Sequence, residues 1–320
     1  MPTAATRTQL SLTVLDKRRE SDGVVSVRLG QEDAQRLPDW TPGAHIDLIL
    51  PGGLTRQYSL CGDRWDPATY RIAVLRESAS RGGSAYVHDQ LSPGDNVLVG
   101  GPRNNFQLVP ARDYRFVAGG IGITPILPMI QAVERLGSSW TLLYGGRTRA
   151  SLAFADELTA RYGDRVLIHP QDEFGLLPVA DFLGSGAPGT VAYCCGPAPL
   201  LAAVDAHTAG WRAGSVRTER FVAAATEPPV RSEAFEVVLA RSGRSVRVTP
   251  ECSVLDAVRD AGVPVLSSCE QGLCGTCETG VLEGTPDHRD TLLDDDERRQ
   301  GDRMMICVSR SCGDRLVLDL

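Results

Sequence analysis

No apolar stretch in this 320-residue sequence approaches the roughly 20 residues that a membrane-spanning helix requires, so an integral helical membrane protein is excluded and no membrane partner is expected. An excess of positive charge is also missing. The 33 lysines and arginines stand against 40 aspartates and glutamates, giving a net charge of −7 and a pI near 5.3. That balance argues against nucleic acid as a partner, because phosphate binding rests on clustered cations. Met1–Leu10 lacks the apolar core of a secretory signal, which leads us to expect a cytoplasmic protein. Internal repeats and low-complexity tracts are absent. The nine cysteines do not pair off, and four of them follow one spacing, so a disulfide framework is not expected.

What is present is a globular composition, 42% hydrophobic and 23% charged, on a chain too long for one ordinary core. Up to about residue 110 the sequence reads as short strands separated by Pro-Gly, Gly-Gly and Asp-Pro pairs, including Leu10–Leu15, Val24–Leu29, His45–Leu50, Tyr70–Leu75 and Asn96–Val99. This spacing predicts an antiparallel β-barrel over 1–110. From Tyr114 strands alternate with helical stretches: Tyr114–Ala118, helix Pro125–Leu136, Trp140–Tyr144, helix Ala150–Tyr162, Val166–His169, Val191–Cys194, helix Pro197–Ala209. That texture predicts an α/β domain with a parallel sheet over 111–224. Prolines and small residues mark 225–233 as a linker. Over 234–320 a hairpin around Ser242-Gly243, a helix begun by Ser253 and Asp256, and a last strand Arg315–Leu320 predict a smaller α+β domain.

The last domain holds the most specific signal. Cys269-x4-Cys274-x2-Cys277 is followed by Cys307 after 29 intervening residues, the ligand spacing of a plant-type [2Fe–2S] cluster. Each iron takes two thiolates; a tight loop supplies three and a distant segment the fourth. Gly272 and Gly275 free the loop to turn backbone N–H groups toward sulfur. A four-cysteine zinc module in a binding or scaffold protein is the rival reading, but zinc favours paired C-x2–4-C units and Cys307 has no such partner. Of the other cysteines, Cys61, Cys194, Cys252 and Cys312 are expected mostly as small buried apolar residues. The run Asp294–Glu297 followed by Arg298 and Arg299 suits the dipole of a short helix.

Two motifs in the barrel point to a flavin. In Arg56-Gln57-Tyr58-Ser59-Leu60, Arg56 and Tyr58 share one strand face, so a cation and an aromatic ring stand together with Ser59 at the strand end. Arg81-Gly82-Gly83-Ser84 precedes the helical Ala85–Leu91, where backbone N–H groups can approach a phosphate. R-x-Y-S-L with G-G-S about 25 residues on, then Pro102-x-Asn104-x-Phe106, resembles the ferredoxin–NADP⁺ reductase superfamily. Gly119-Gly120-Ile121-Gly122-Ile123-Thr124-Pro125 lies between a strand and a helix. Its glycines permit a sharp turn and close approach of a pyrophosphate, and it is similar to the G-G-x-G-x-T-P of the same superfamily. Tyr144-Gly145-Gly146-Arg147, at a strand end, and Cys194-Cys195-Gly196-Pro197 are further matches in order.

The order of flavin barrel, nucleotide domain and C-terminal ferredoxin (β-grasp) domain resembles the phthalate dioxygenase reductase family, which includes vanillate demethylase reductases. The resemblance implies FMN, NADH as donor and a Rieske-type oxygenase as acceptor. It places Arg56, Tyr58, Ser59, Ala73, Leu75, Gly82, Gly83, Ser84, Thr124 and Phe221 at the flavin. Gly119, Gly120, Gly122, Gly145, Arg147, Cys195, Gly196 and Pro197 fall at the dinucleotide, and Cys269, Cys274, Cys277 and Cys307 at the cluster. Thr124, Cys195 and a displaceable Phe221 would align the hydride donor, with reacting atoms about 3–3.5 Å apart, and Cys194 is structural. Cys195 has no base or cation nearby in sequence and is read as positional rather than nucleophilic.

FAD remains the alternative flavin, because a related family uses it with the ferredoxin domain first. Arg147 and Arg149 keep NADPH open, since arginines after the second strand can receive a 2′-phosphate. A cytochrome P450 or another monooxygenase remains open as acceptor, and a flavin-free electron carrier is a third possibility. A monomer is expected.

Overall fold

A computed structural model describes residues 9–77, 82–222 and 228–320. Arg81 and positions 225–227 of the expected linker lie outside the described residues. The chain forms two compact units, Met1–Phe221 and Val222–Leu320, each of which is described by itself. No helix of the described residues is long and apolar enough to cross a membrane.

The first unit begins with strands β1 (Leu10–Ser21), β2 (Val24–Gly30), β3 (His45–Ile49), β4 (Thr55–Ser59) and β5 (Thr69–Leu75), then helix α1 (Gly83–Asp89) and strand β6 (Asn96–Arg103). The strands lie in the order β4-β3-β6-β1-β2-β5, and every ladder is antiparallel. A bridge between Leu60 and Ile72 joins the two ends and closes the barrel. Alternation explains the filling: Leu12 and Val14, Val27 and Leu29, Ile46 and Leu48, and Ile72 and Val74 point into one apolar interior. Each such side chain contributes about 1.5–3 kcal/mol by leaving water.

The same unit continues as an α/β sheet: β7 (Asp113–Gly119), α2 (Ile123–Arg135), β8 (Ser139–Gly146), α3 (Ala155–Tyr162), β9 (Val166–Pro170), α4 (Gln171–Phe174), α5 (Val179–Leu183), β10 (Thr190–Cys195), α6 (Ala198–Thr208) and β11 (Val216–Glu219). All five strands are parallel, in the order β11-β10-β7-β8-β9. The central β7 buries consecutive residues Phe116, Val117 and Ala118 because helices cover both faces. Val24, Cys61 and Ala73 of the barrel share one apolar cluster with Phe116, Ile123 and Trp140, so barrel and sheet pack on each other.

Two helix limits differ from those expected. Helix α2 starts at Ile123, after a 3-10 turn over Gly120–Gly122, rather than at Pro125. Helix α3 starts at Ala155 rather than Ala150, because Phe154 is left-handed, with φ 63°. The buried Phe154 ring lies 4.6 Å beneath the Arg71 guanidinium of the barrel, a tertiary contact that breaks the local pattern.

The second unit comprises β12 (Phe235–Leu239), β13 (Arg244–Val248), α7 (Val254–Asp260), β14 (Glu278–Glu283), β15 (Pro286–Asp287), α8 (Asp295–Gln300), β16 (Arg303–Met305), β17 (Arg310–Ser311) and β18 (Arg315–Leu318). The mixed sheet runs β13-β12-β18-β14-β16, with β12 and β18 parallel, a β-grasp arrangement. Ser253 caps α7 by accepting from the Asp256 N–H at 3.0 Å, and Asp294 caps α8 in a reciprocal box with Glu297. The last strand ends at Leu318 rather than Leu320. Cys61 and Cys194 are buried as expected, whereas Cys252 is half-buried and Cys312 exposed.

Candidate functional site

Three groups of expected site residues take shape. The first is on the barrel. Arg56 and Tyr58 lie on β4, and burial pushes the Tyr58 phenol up to about 12, keeping it neutral. Gly82 is left-handed, with φ 94°, and turns the chain into α1. A Cβ on Gly83 would fall 2.6 Å from Arg56 Cγ and 2.9 Å from its Nε. The absence of that Cβ lets the arginine stem lie across the start of α1, with its Nη1 donating to the Thr55 carbonyl at 2.8 Å, so a cation stands beside the first N–H groups of the helix. The Ser84 hydroxyl accepts from the Glu77 N–H at 3.1 Å and ties the helix start to the end of β5, which carries the buried Ala73 and half-buried Leu75. Ser59 is buried at the end of β4. These residues fit a flavin phosphate: cation, glycine and helix start converge.

The second group lies at the carboxyl edge of the parallel sheet, where ligands bind in such folds. Register places Cys195 beside Ala118 on β7 and beside Glu219 on β11. A Cβ on Gly122 would fall 2.2 Å from the Cys195 carbonyl oxygen, and one on Gly119 would fall 2.7 Å from Pro197 Cδ. The Gly119–Pro125 turn and the Cys195-Gly196-Pro197 turn are therefore packed backbone to backbone, which only glycine permits. Thr124 is buried, and its hydroxyl donates to the Ile121 carbonyl at 2.9 Å. Phe221, two residues past β11, is 39% exposed. Gly145 lies against the His169 carbonyl oxygen, 2.9 Å from where its Cβ would be. Arg147 follows it on the exposed surface.

Glu219 is a residue the sequence did not single out as a site member. It approaches the Cys195 thiol at 3.9 Å. The residue as a whole is half-buried, but its carboxyl end is enclosed, and burial pushes its pKa up to about 8. Burial and that carboxyl also push the Cys195 thiol well up, so Cys195 is a neutral packing group rather than a nucleophile. The only hint in sequence was its place in Glu219-Arg220-Phe221; the neighbour that matters lies 24 residues away on another strand.

The third group is the cysteine loop. Glu270, Gly272 and Gly275 are left-handed, with φ of 54°, 70° and 69°, which turns successive N–H groups inward. Gln271 and Leu273 donate backbone N–H bonds to Cys269 Sγ at 3.3 and 3.5 Å, and Thr276 donates to Cys274 Sγ at 3.4 Å. A Cβ on Gly272 would fall 2.7 Å from Val308 Cγ2 and 2.9 Å from Asp290 Cα. The sulfurs stand in two pairs. Cys269 donates to and lowers the Cys274 thiol while its own is pushed up, and Cys307 does the same for Cys277. Among the described residues no three His, Cys, Asp or Glu side chains converge on one ion position. Two cysteine pairs with N–H donors around them fit a two-iron cluster.

Comparison with known proteins agrees with this chemistry. Residues 237–312 match the model of the 2Fe-2S iron-sulfur cluster binding domain. The chain is 44% identical over 322 residues, covering 100% of both chains, to the phenoxybenzoate dioxygenase subunit beta of Ectopseudomonas oleovorans. It aligns with a structure described as phthalate dioxygenase reductase, "a modular structure for electron transfer from pyridine nucleotides to [2Fe-2S]", with TM-score 0.73, 38% identity and 98% of each chain covered. It also aligns with an intact type IV self-sufficient cytochrome P450 monooxygenase, with TM-score 0.90 and 41% identity; 98% of this chain covers 41% of that longer one.

Proposed function

The chain belongs to the family of phthalate dioxygenase reductase and related oxygenase reductase subunits, and we propose that it passes electrons from NADH through FMN and a [2Fe–2S] cluster to a Rieske-type terminal oxygenase. It is an oxidoreductase whose substrate-oxidising partner is a separate protein. The observation that carries the reading is the presence, in one chain, of an arginine–glycine helix start, a Gly122–Cys195 turn pair at the sheet edge and a loop of two cysteine pairs.

A bound flavin supplies the conversion of a two-electron hydride into single electrons. The residues of the chain do the positioning. Arg56 with Gly82, Gly83 and Ser84 would hold the flavin phosphate, Tyr58 would offer an aromatic face, and Ser59, Ala73 and Leu75 would border the flavin. Gly119, Gly120 and Gly122 admit the pyrophosphate, and Gly145 and Arg147 receive the adenosine end. Cys195, Gly196 and Pro197 with Thr124 would orient a nicotinamide, and Phe221 would lie over the flavin ring. No side chain need act as acid or base in the hydride step. Cys269, Cys274, Cys277 and Cys307 would ligate the cluster, which supplies a one-electron carrier there. We place the protein in the cytoplasm as a monomer. A cytochrome P450 acceptor is the second reading, favoured by the likeness to the self-sufficient monooxygenase.

Cofactor extraction with anaerobic NADH titration tests this reading. FMN, iron and acid-labile sulfide should be recovered, and bleaching should consume about three electrons per chain, two at the flavin and one at the cluster. Zinc without sulfide, or no reduction by NADH, would overturn it; reconstituted turnover with candidate oxygenases separates the two acceptors.

A further inference from the structure

The segment after β8 carries two arginines, and they are not equivalent. Arg147 is exposed and, among the described residues, makes no ion pair. Arg149 opens a 3-10 turn over Arg149–Ser151 and is clamped by Glu173 of α4, with Nε donating to Oε1 at 2.9 Å and Nη2 to Oε2 at 2.7 Å. This is the parallel two-bond fork that guanidinium would otherwise offer to a phosphate. The pair keeps Glu173 ionised, because the arginine holds its carboxyl below the usual range. The two loops are also tied through the backbone, where the Asp172 N–H donates to the Arg147 carbonyl at 3.1 Å. A carboxylate is therefore fixed at the strand edge where the adenosine ribose binds in such sheets, beside Arg147 and Arg149, cations able to take a 2′-phosphate.

We propose that Glu173 sets coenzyme choice in this chain: by occupying the Arg149 fork and adding its own charge at the ribose edge, it rejects the 2′-phosphate of NADPH and leaves NADH preferred. The inference rests on the nucleotide reading given above. A dianionic phosphate there would have to break the fork or sit beside Glu173, and the surrounding arginines would be only half available to it. NADH carries a neutral hydroxyl at that place and meets neither cost. Arg149 is a latent phosphate site, and Glu173 its lock.

The test uses the full chain and its Glu173→Gln variant, with a second substitution, Arg149→Ala, added to the first. Glu173→Gln should raise kcat/KM for NADPH by about tenfold or more, measured with ferricyanide, while that for NADH changes by less than about threefold. Adding Arg149→Ala should abolish most of the gain. Independently of turnover, titration calorimetry should show 2′,5′-ADP binding tightening by a similar factor in Glu173→Gln and 5′-AMP binding little changed. Unchanged 2′,5′-ADP binding in Glu173→Gln would overturn the proposal, as would a gain that survives loss of Arg149. Wild-type protein that neither coenzyme reduces would instead overturn the donor reading beneath it.

Discussion

Glu219 carries a proton at neutral pH because its carboxyl end is enclosed next to Cys195, and that has a consequence for stability. In the unfolded chain a glutamate has lost its proton by about pH 5, whereas the folded chain keeps it to about pH 8. The folded state therefore binds the extra proton between those values, and stability falls as pH rises through that window. Glu219→Gln should remove this slope. Urea midpoints at pH 6 and pH 8.5 should differ less in the variant than in the wild type, and equal differences would refute the assignment. The neighbouring thiol should also resist alkylation at neutral pH, since Cys195 is buried and burial opposes its ionisation. None of this was readable from Cys194-Cys195-Gly196-Pro197 alone, because the acid reaches the cysteine through the parallel register of β10 and β11.

At the scale of elements, the turn between β7 and α2 is fixed by what it touches. A methyl on Gly122 would have to push back the Cys195 carbonyl, whose oxygen is 2.2 Å from the Cβ position, and backbone there has nowhere to go. Gly122→Ala should cost about 1–3 kcal/mol through overpacking and slow reduction by NADH by up to about 100-fold through misplaced nicotinamide. Gly210→Ala, where the Cβ meets nothing within 4 Å and the backbone is ordinary, is the matched control and should leave both unchanged. Stopped-flow bleaching and urea midpoints measure the two effects; a Gly122→Ala enzyme as fast as the control would remove the turn from the site.

This element was legible in the sequence because its glycines answer a local demand, a strand turning sharply into a helix. The left-handed Phe154 was not legible, since Ala150–Tyr162 favours helix locally and the break comes from Arg71 of the barrel stacking on the ring. Likewise the cysteine spacing announced a cluster, but the division into Cys269–Cys274 and Cys277–Cys307 needed the folded loop.

At the scale of the whole molecule, the cluster unit Val222–Leu320 has its own sheet and its own apolar core, built from Val237, Leu239, Val258, Met304 and Leu316 among others. The arginine–glycine helix start and the Gly122–Cys195 turn pair are both contained in Met1–Phe221. Loss of the cluster should therefore leave the entry of electrons intact and abolish only their exit. Cys307 separates the two functions well, since it arrives from a segment distant from the other three ligands and its removal spares the loop glycines. In Cys307→Ser the cluster should be lost or strongly depleted while FMN stays at the wild-type level. Anaerobic NADH titration should then bleach the protein with about two electrons per chain instead of about three. Ferricyanide reduction should persist, because that acceptor can draw electrons from the flavin, whereas turnover with an oxygenase partner should fall by at least about 100-fold. Full oxygenase turnover by a cluster-free Cys307→Ser protein would mean that the flavin itself faces the acceptor, and the cluster would lose its place as the last carrier in the chain.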